Sequence, residues 1–269
     1  MKRVCNVKAG AYANILSEDN PSFTGILAGE CKGDIWVDDV KNPELALVYS
    51  NAVGGFAILG EPKNNAVYDK FSEFLREVFF VELKSRGVDV FEFSVERERT
   101  EEYILGLFTD KSINQEDEFY YRKSGAYKLE TPDKYNIIRV DPNFIEQLQA
   151  GKYDNAEFLI DRLFGSWESF EQFFTKSLAF VATLDKSIVS VIIGSARYKN
   201  VVPIDIETIQ EHRKKGLAYI LTQYFVNECE ANELVAQWNC IDSNAASRKT
   251  AVKAGFNLIK KKPFYWFDI

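Results

Sequence analysis

Residues 204–218 read Ile-Asp-Ile-Glu-Thr-Ile-Gln-Glu-His-Arg-Lys-Lys-Gly-Leu-Ala. Ile204 and Ile206 alternate with Asp205 and Glu207, the period of two expected of a strand with one buried face. From Leu217 the spacing changes. Leu217, Ile220, Leu221, Tyr224 and Phe225 follow the period of an amphipathic helix. Between them lies Arg213-Lys214-Lys215-Gly216-Leu217-Ala218. A helix that starts there leaves its first N–H groups without intrahelical partners, and the helix dipole adds partial positive charge at that end. Arg213, Lys214 and Lys215 flank those groups, and Gly216 lets a ligand come close to the backbone. Strand, basic turn and helix together describe a cradle for a phosphate or diphosphate. The competing account is a solvated helix start with a basic first turn.

Composition narrows what such a cradle serves. A chain of 269 residues, 46% hydrophobic and 27% charged, has enough apolar material for one large core or two modest ones. The net charge of −7 argues against a general nucleic-acid binder, whose footprint is a basic face. The basic turn is therefore a local feature of an acidic protein. No run of about 18 apolar residues is present, so no membrane span is expected. The opening Met-Lys-Arg-Val-Cys-Asn is not followed by the apolar core of a signal peptide, so a cytoplasmic location is expected. Cys5, Cys31, Cys229 and Cys240 show no Cys-x-x-Cys spacing, and His212 is the single histidine. Neither a metal site nor a Ser-His-Asp or Cys-His hydrolase fits that inventory; free thiols in a reducing compartment do.

Outward from the cradle, the chain divides into two stretches with one order of elements. A short helix over residues 8–16 and a polar break at 17–21 precede strands over 34–38, 45–49 and 56–59, the last two forming a hairpin across Gly54-Gly55. A long helix over 67–86 places Phe71, Phe74, Leu75, Val78, Phe79 and Leu83 on one face and ends at Gly87. A strand (88–95), a helix (100–108) and a strand (118–122) follow. The polar passage 123–134, with Gly125 and Pro132, marks a boundary between domains at 1–125 and 126–269. The second stretch runs through a strand (135–140), helices (142–149, 155–164, 168–178), a hairpin around Asp185-Lys186, the strand 201–208, the long helix 216–231, a strand (234–240), a helix (245–254) and a closing hairpin (257–261, 264–268). Both stretches give hairpin, loop, long helix, strand, short helix, strand, which raises the hypothesis of an internal repeat. In the first, the loop Gly60-Glu-Pro-Lys-Asn-Asn65 has one cation and no Arg-x-x-Gly-x-Ala, so only the second retains the cradle.

Arg213 to Ala218 fits Arg/Gln-x-x-Gly-x-Gly/Ala and, in its strand-to-helix setting, resembles the acetyl-CoA diphosphate loop of the GCN5-related N-acetyltransferase (GNAT) family. Asn244, Ser247 and Gly255-Phe256 follow at matching intervals, and the resemblance covers residues 135–269. Ile206 to Thr208, the loop and Trp238 to Cys240 look like the branch that includes the zwittermicin A resistance acetyltransferase. The resemblance implies an α/β (α+β) fold whose second half is a GNAT-type mixed, mostly antiparallel sheet flanked by helices, with an extra N-terminal α/β domain in that branch; the shared order of elements raises the hypothesis that this domain is a degenerate GNAT-like half. It implies acetyl-CoA as cosubstrate, direct acetyl transfer to a primary amine of a small molecule, and cofactor contacts from Thr208, Arg213, Lys214, Lys215, Gly216, Leu217, Ala218, Asn244 and Ser247. Many members carry a Tyr seven residues after the motif Asn; here that position is Ala251.

The chemistry needs a base for the ammonium, donors for the oxyanion and orientation of two reactants. Glu207, a carboxylate at the strand end beside the cradle, is the candidate base, with Asp205 second. The bland alternative pairs Glu207 with Arg197 or Lys199. The plainer reading of Asn244 is a helix cap, of Cys240 a buried inert thiol instead of an acyl-accepting nucleophile, and of Lys260-Lys261-Lys262 a solvated turn; Ser247 can instead serve close packing, and Trp167, placed by the resemblance where an acceptor-site wall stands, reads equally as helix packing. A catalytically silent CoA-binding sensor or scaffold is the alternative to the enzyme.

Overall fold

A computed structural model describes residues 1–4, 10, 12–18 and 20–269. Most of the helix expected over 8–16 lies outside the described residues; within them Ala13–Ile15 form one 3₁₀ turn. Cys5 also lies outside them. Backbone contacts divide the chain into unit 1, Met1–Asp117 with Lys262–Ile269, and unit 2, Glu118–Lys261. The polar passage 123–134 thus lies inside unit 2, and the end of the chain belongs to unit 1.

Unit 1 opens with β1 (Lys2–Val4), then α1 (Pro21–Leu27), β2 (Asp34–Val37), β3 (Leu45–Ser50) and β4 (Gly55–Gly60). The sequence pattern had no signal for α1, a helix with Pro21 in its first turn and every residue from Pro21 to Leu27 buried. An all-round buried helix shows no amphipathic period. α2 (Asn65–Phe74) and α3 (Phe80–Ser85) follow, joined by a π-turn over Leu75–Phe79 in which the Phe80 N–H donates to the Leu75 carbonyl. The extra residue rotates the apolar face. Phe79 and Phe80 both turn inward, while Val78, expected inside, is 54% exposed. β5 (Val90–Val95) and α4 (Glu98–Gly106) complete the run. β1 to β4 are antiparallel, β4 and β5 run parallel through Phe56–Ile58 and Phe93–Val95, and Tyr265–Asp268 return antiparallel to β5. Phe71, Phe91, Phe93, Phe108 and Phe267 fill the core.

The next strand, β6 (Asn114–Lys123), passes from unit 1 into unit 2. There follow β7 (Asn136–Arg139), α5 (Pro142–Gln149), α6 (Glu157–Ser166), α7 (Phe170–Lys176), β8 (Ala179–Leu184), β9 (Ser187–Gly194), β10 (Val201–Thr208), α8 (Leu217–Ala231), β11 (Val235–Ile241), α9 (Ala245–Lys253) and β12 (Asn257–Asp268). The strand order in unit 2 is β7-β8-β9-β10-β11-β6, antiparallel except for β10 with β11. Unit 1 has the same arrangement: antiparallel neighbours, one parallel pair spanned by the long helix, then an antiparallel sixth strand. Each unit is a mixed, mostly antiparallel sheet flanked by helices, and the second repeats the first.

The end of the chain departs from the expected hairpin. Asn257–Asp268 is one strand. Lys260-Lys261-Lys262 are not a solvated turn: Lys260 and Lys261 lie over the Tyr120 and Phe119 rings. Lys262 donates to the Glu96 carbonyl (2.7 Å) and carboxylate (3.0 Å). Strand pairing fixes these side chains beside ring and carboxylate partners, although Lys261 stays exposed.

In unit 2 the core forms where α8 packs on the sheet through Leu217, Leu221, Phe225 and Val226. Burial of such side chains contributes about 1.5–3 kcal/mol each. Ile204 and Ile206 turn to that face, so the strand alternation sends Asp205 and Glu207 to the other.

Candidate active site

β10 changes partner along its length. Val201–Pro203 pair with Val235–Gln237 of β11, and Ile204–Thr208 pair only with β9, on the other side. β11 meanwhile continues along β6 to Ile241. The two parallel strands therefore part after Pro203. The Ile209 N–H donates to the Val189 carbonyl (3.0 Å), which sets the alternation of the ladder. Odd-numbered residues of β10 bond to β9, and the peptide groups of Ile204, Ile206 and Thr208 face the gap. This is a row of backbone donors and acceptors along the parting of the strands, whose last carbonyl, that of Thr208, is taken by Arg213.

At the end of that row stands the basic turn. Arg213, Lys214, Lys215 and Gly216 are exposed, Leu217 is buried beneath them and Ala218 is half-buried. Lys214 (φ +62°) and Gly216 (φ +81°) are both left-handed, so the turn curls its amides toward one side. Gly216 caps α8 without any side-chain hydrogen bond. Among the described residues, no group accepts the N–H of Lys214 through Tyr219. A Cβ on Gly216 would meet nothing within 4 Å. Open space, unsatisfied amides and the positive end of a 15-residue helix coincide.

The matching loop of unit 1 is closed by its own side chains. The Lys63 N–H donates to the Glu44 carboxylate (3.1 Å), and the Ala66 N–H to Asn64 Oδ1 (2.9 Å). Thr100 donates to the Gly60 carbonyl (2.9 Å) where β4 ends. An internal carboxylate and an internal cap fill the places a phosphate would take.

Glu207 and Asp205 share a cation that the sequence did not point to. Arg162 of α6 donates to Asp205 (2.6 Å) and to Glu207, and its guanidinium lies 5.3 Å from the centre of the Phe158 ring. Glu207 also receives Arg213 at 3.3 Å, and Arg213 Nε donates to the Thr208 carbonyl (2.9 Å). The expected partners, Arg197 and Lys199, are not used: Arg197 donates to the Lys199 and Lys176 carbonyls. Positions 162 and 207 are far apart in sequence, and a lone arginine on a helix gives no spacing to read. One carboxylate is thus held between a cation of α6 and the first residue of the basic turn. Its side chain is still 39% exposed.

Across the gap, Asn244 caps α9 by accepting the Ser247 N–H (3.1 Å), and the Ser247 hydroxyl accepts the Trp238 indole N–H (2.8 Å). Those bonds tie α9 to β11. Burial pushes the Cys240 thiol up, so it stays protonated beside Ser247. Ala251 is fully buried in the core of unit 2. Trp167 is also fully buried, with its indole N–H on the Gly194 carbonyl (3.0 Å), which makes it a packing residue and not a cleft wall. His212 Nδ1 pairs with the Tyr135 hydroxyl (3.0 Å). Among the described residues, no group of His, Cys, Asp or Glu is placed to hold a metal ion, and no helix is long and apolar enough to cross a membrane.

Unit 2 is thus a mostly antiparallel sheet that parts at one parallel pair, with an open helix start at the parting. The family model for GNAT acetyltransferases matches residues 14–265, nearly the whole chain, and the protein belongs to that family of N-acetyltransferases. A Bacillus subtilis (strain 168) protein, described as the uncharacterized N-acetyltransferase YdfB, is 26% identical over 250 residues, 91% of this chain and 90% of that one. A GNAT-like protein of Streptococcus suis 89/1591 superposes with a TM-score of 0.58 at 20% identity, covering 87% of this chain and 88% of that chain. A tandem GNAT protein from the clavulanic acid biosynthesis pathway gives 0.58 at 11% identity, covering 96% and 92%. At those identities the two structures speak for the fold, and the tandem one fits the repeat of two units.

Proposed function

We propose that unit 2 binds acetyl-CoA between the parted strands and transfers its acetyl group to a primary amine of a small molecule. The observation that carries this is the run of unaccepted amides from Lys214 to Tyr219, opening on the gap beside Ile204, Ile206 and Thr208. These residues fit a diphosphate followed by an extended amide-bearing arm. Arg213, Lys214 and Lys215 supply positive charge, and Gly216 and Leu217 supply amides. The cosubstrate brings the activated acyl carbon. The chain's part is to orient it, to exclude water, and to move one proton. Glu207 Oε accepts the proton of the incoming ammonium, directly or through one water. Arg162 orients that carboxylate while it waits, and release of Arg213 to the diphosphate frees one of its oxygens. Asn244 and Ser247 form the far wall through the first turn of α9.

A second reading has its own support. Ala251 carries no hydroxyl to return a proton to a departing thiolate, and Glu207 is held by two guanidinium groups. A CoA-binding sensor without turnover is the outcome if that support decides. Incubation with acetyl-CoA and a panel of small amines separates the two. Amine-dependent release of free thiol is expected; tight CoA binding with no thiol release from any amine supports the sensor, and absence of CoA binding overturns both.

A further inference from the structure

Unit 1 contains a cavity of about 450 Å³, built entirely from its own residues, within the size range of small-molecule sites. Its floor is aromatic. The register pairs Asp34 with Tyr49 and Tyr49 with Phe56, so these three share one row on one face, with Trp36 two residues along β2. Phe79 joins this aromatic lining, packed edge-on against Trp36 (5.0 Å between ring centres) and Phe56 (5.3 Å). Phe79 reaches this place because of the π-turn, and a turn of that kind inside a helix is found preferentially at functional sites.

The polar groups around the floor favour positive charge. Arg3 already displays the preference: its guanidinium lies 5.8 Å from the Trp36 ring centre and donates to Asp34 at 2.6 Å. The lining continues through Arg86, Gly87, Val88 and Asp89, directly after the C-terminal end of α3, where the helix dipole is negative. Asp89 has no ion-pair partner among the described residues, whereas Arg86 is neutralised by Glu82 one turn earlier. Aromatic faces, a carboxylate at the rim and a helix C-terminus are the elements that hold organic cations.

We propose that this cavity is a binding site for an organic cation, an ammonium or guanidinium that carries an apolar group. It does not depend on CoA binding by unit 2. The test is calorimetry on the full-length protein with benzyltrimethylammonium as probe and phenylacetate as its anionic counterpart. Saturable one-to-one binding of the cation is expected, with none of the anion. Trp36→Leu should weaken binding about tenfold, and Asp89→Asn about threefold. Absence of saturable binding overturns the proposal, as does equal binding of phenylacetate or an affinity unchanged in a folded Trp36→Leu protein. If Trp36→Leu does not fold, Asp89→Asn on the exposed rim decides alone: weakened binding supports the site and unchanged binding removes it.

Discussion

Replacing Gly216 by Glu isolates the cradle from the rest of the fold. Gly216 sits at φ +81° with no atom within 4 Å of where a Cβ would stand, so the new side chain has room and collides with nothing. The left-handed backbone still costs an L-residue about 1–2 kcal/mol, which lowers the melting temperature by about 2–8 °C in a protein of this size. The effect on CoA is larger. A carboxylate about 5 Å from two phosphate charges costs on the order of 0.8 kcal/mol per charge in water and about 3 kcal/mol at an effective dielectric of 20. An intermediate total of about 2–3 kcal/mol corresponds to a loss of roughly 30- to 150-fold in affinity. Gly216→Asn is the matched control, because Asn tolerates this backbone region and adds no charge. Calorimetry with CoA and a thermal melt on all three proteins give both numbers. The cradle is refuted if Gly216→Glu binds CoA within about twofold of the parent protein while melting within that range.

Glu207→Gln should lower the rate of acetyl transfer by about 10²-fold or more with CoA affinity unchanged, the signature of a lost base; equal losses in both would remove Glu207 from that role. Arg162→Met takes away the cation that bridges Asp205 and Glu207. If Arg162 positions the Glu207 carboxylate, kcat for acetyl transfer should fall about tenfold or more with CoA affinity unchanged, and an unchanged kcat would show that Arg162 only packs. Asn244→Ala removes the cap of α9 and should destabilise by about 1 kcal/mol, read by chemical denaturation; no change would mean that water replaces the cap. In unit 1, the Arg76 guanidinium holds the Asp110 carboxyl down to about 2. Its folded value lies below the ordinary 3.8, so the pair adds stability above 3.8 that disappears as pH falls toward 2. Arg76→Gln should return the Asp110 titration, followed by carboxyl NMR, to near 3.8.

Local pattern was legible wherever one period held. The strand 201–208, the helix 142–149 and the turn at Asp185 stand where alternation, a Pro-led cap and turn chemistry put them. Period failed where burial was uniform or a turn was unusual: α1 is buried on every side, and the π-turn slips the face of the long helix so that Val78 leaves the core. Lys260 to Lys262 looked like a solvated turn because sequence shows charge and not its partners.

By itself the sequence determined the family-like core of unit 2: an alternating strand, a basic Gly-containing turn and an amphipathic helix, each a property of neighbouring residues. Two matters were left to tertiary structure. One is that α6 brings Arg162 onto Asp205 and Glu207, a contact between segments more than forty residues apart. The other is which groups close the matching loop of unit 1: its lack of the basic motif was plain in the sequence, but the arrival of Glu44 on the Lys63 amide was not. Both turn on which side chain arrives at a backbone amide or a carboxylate, and only the packing of distant elements decides that.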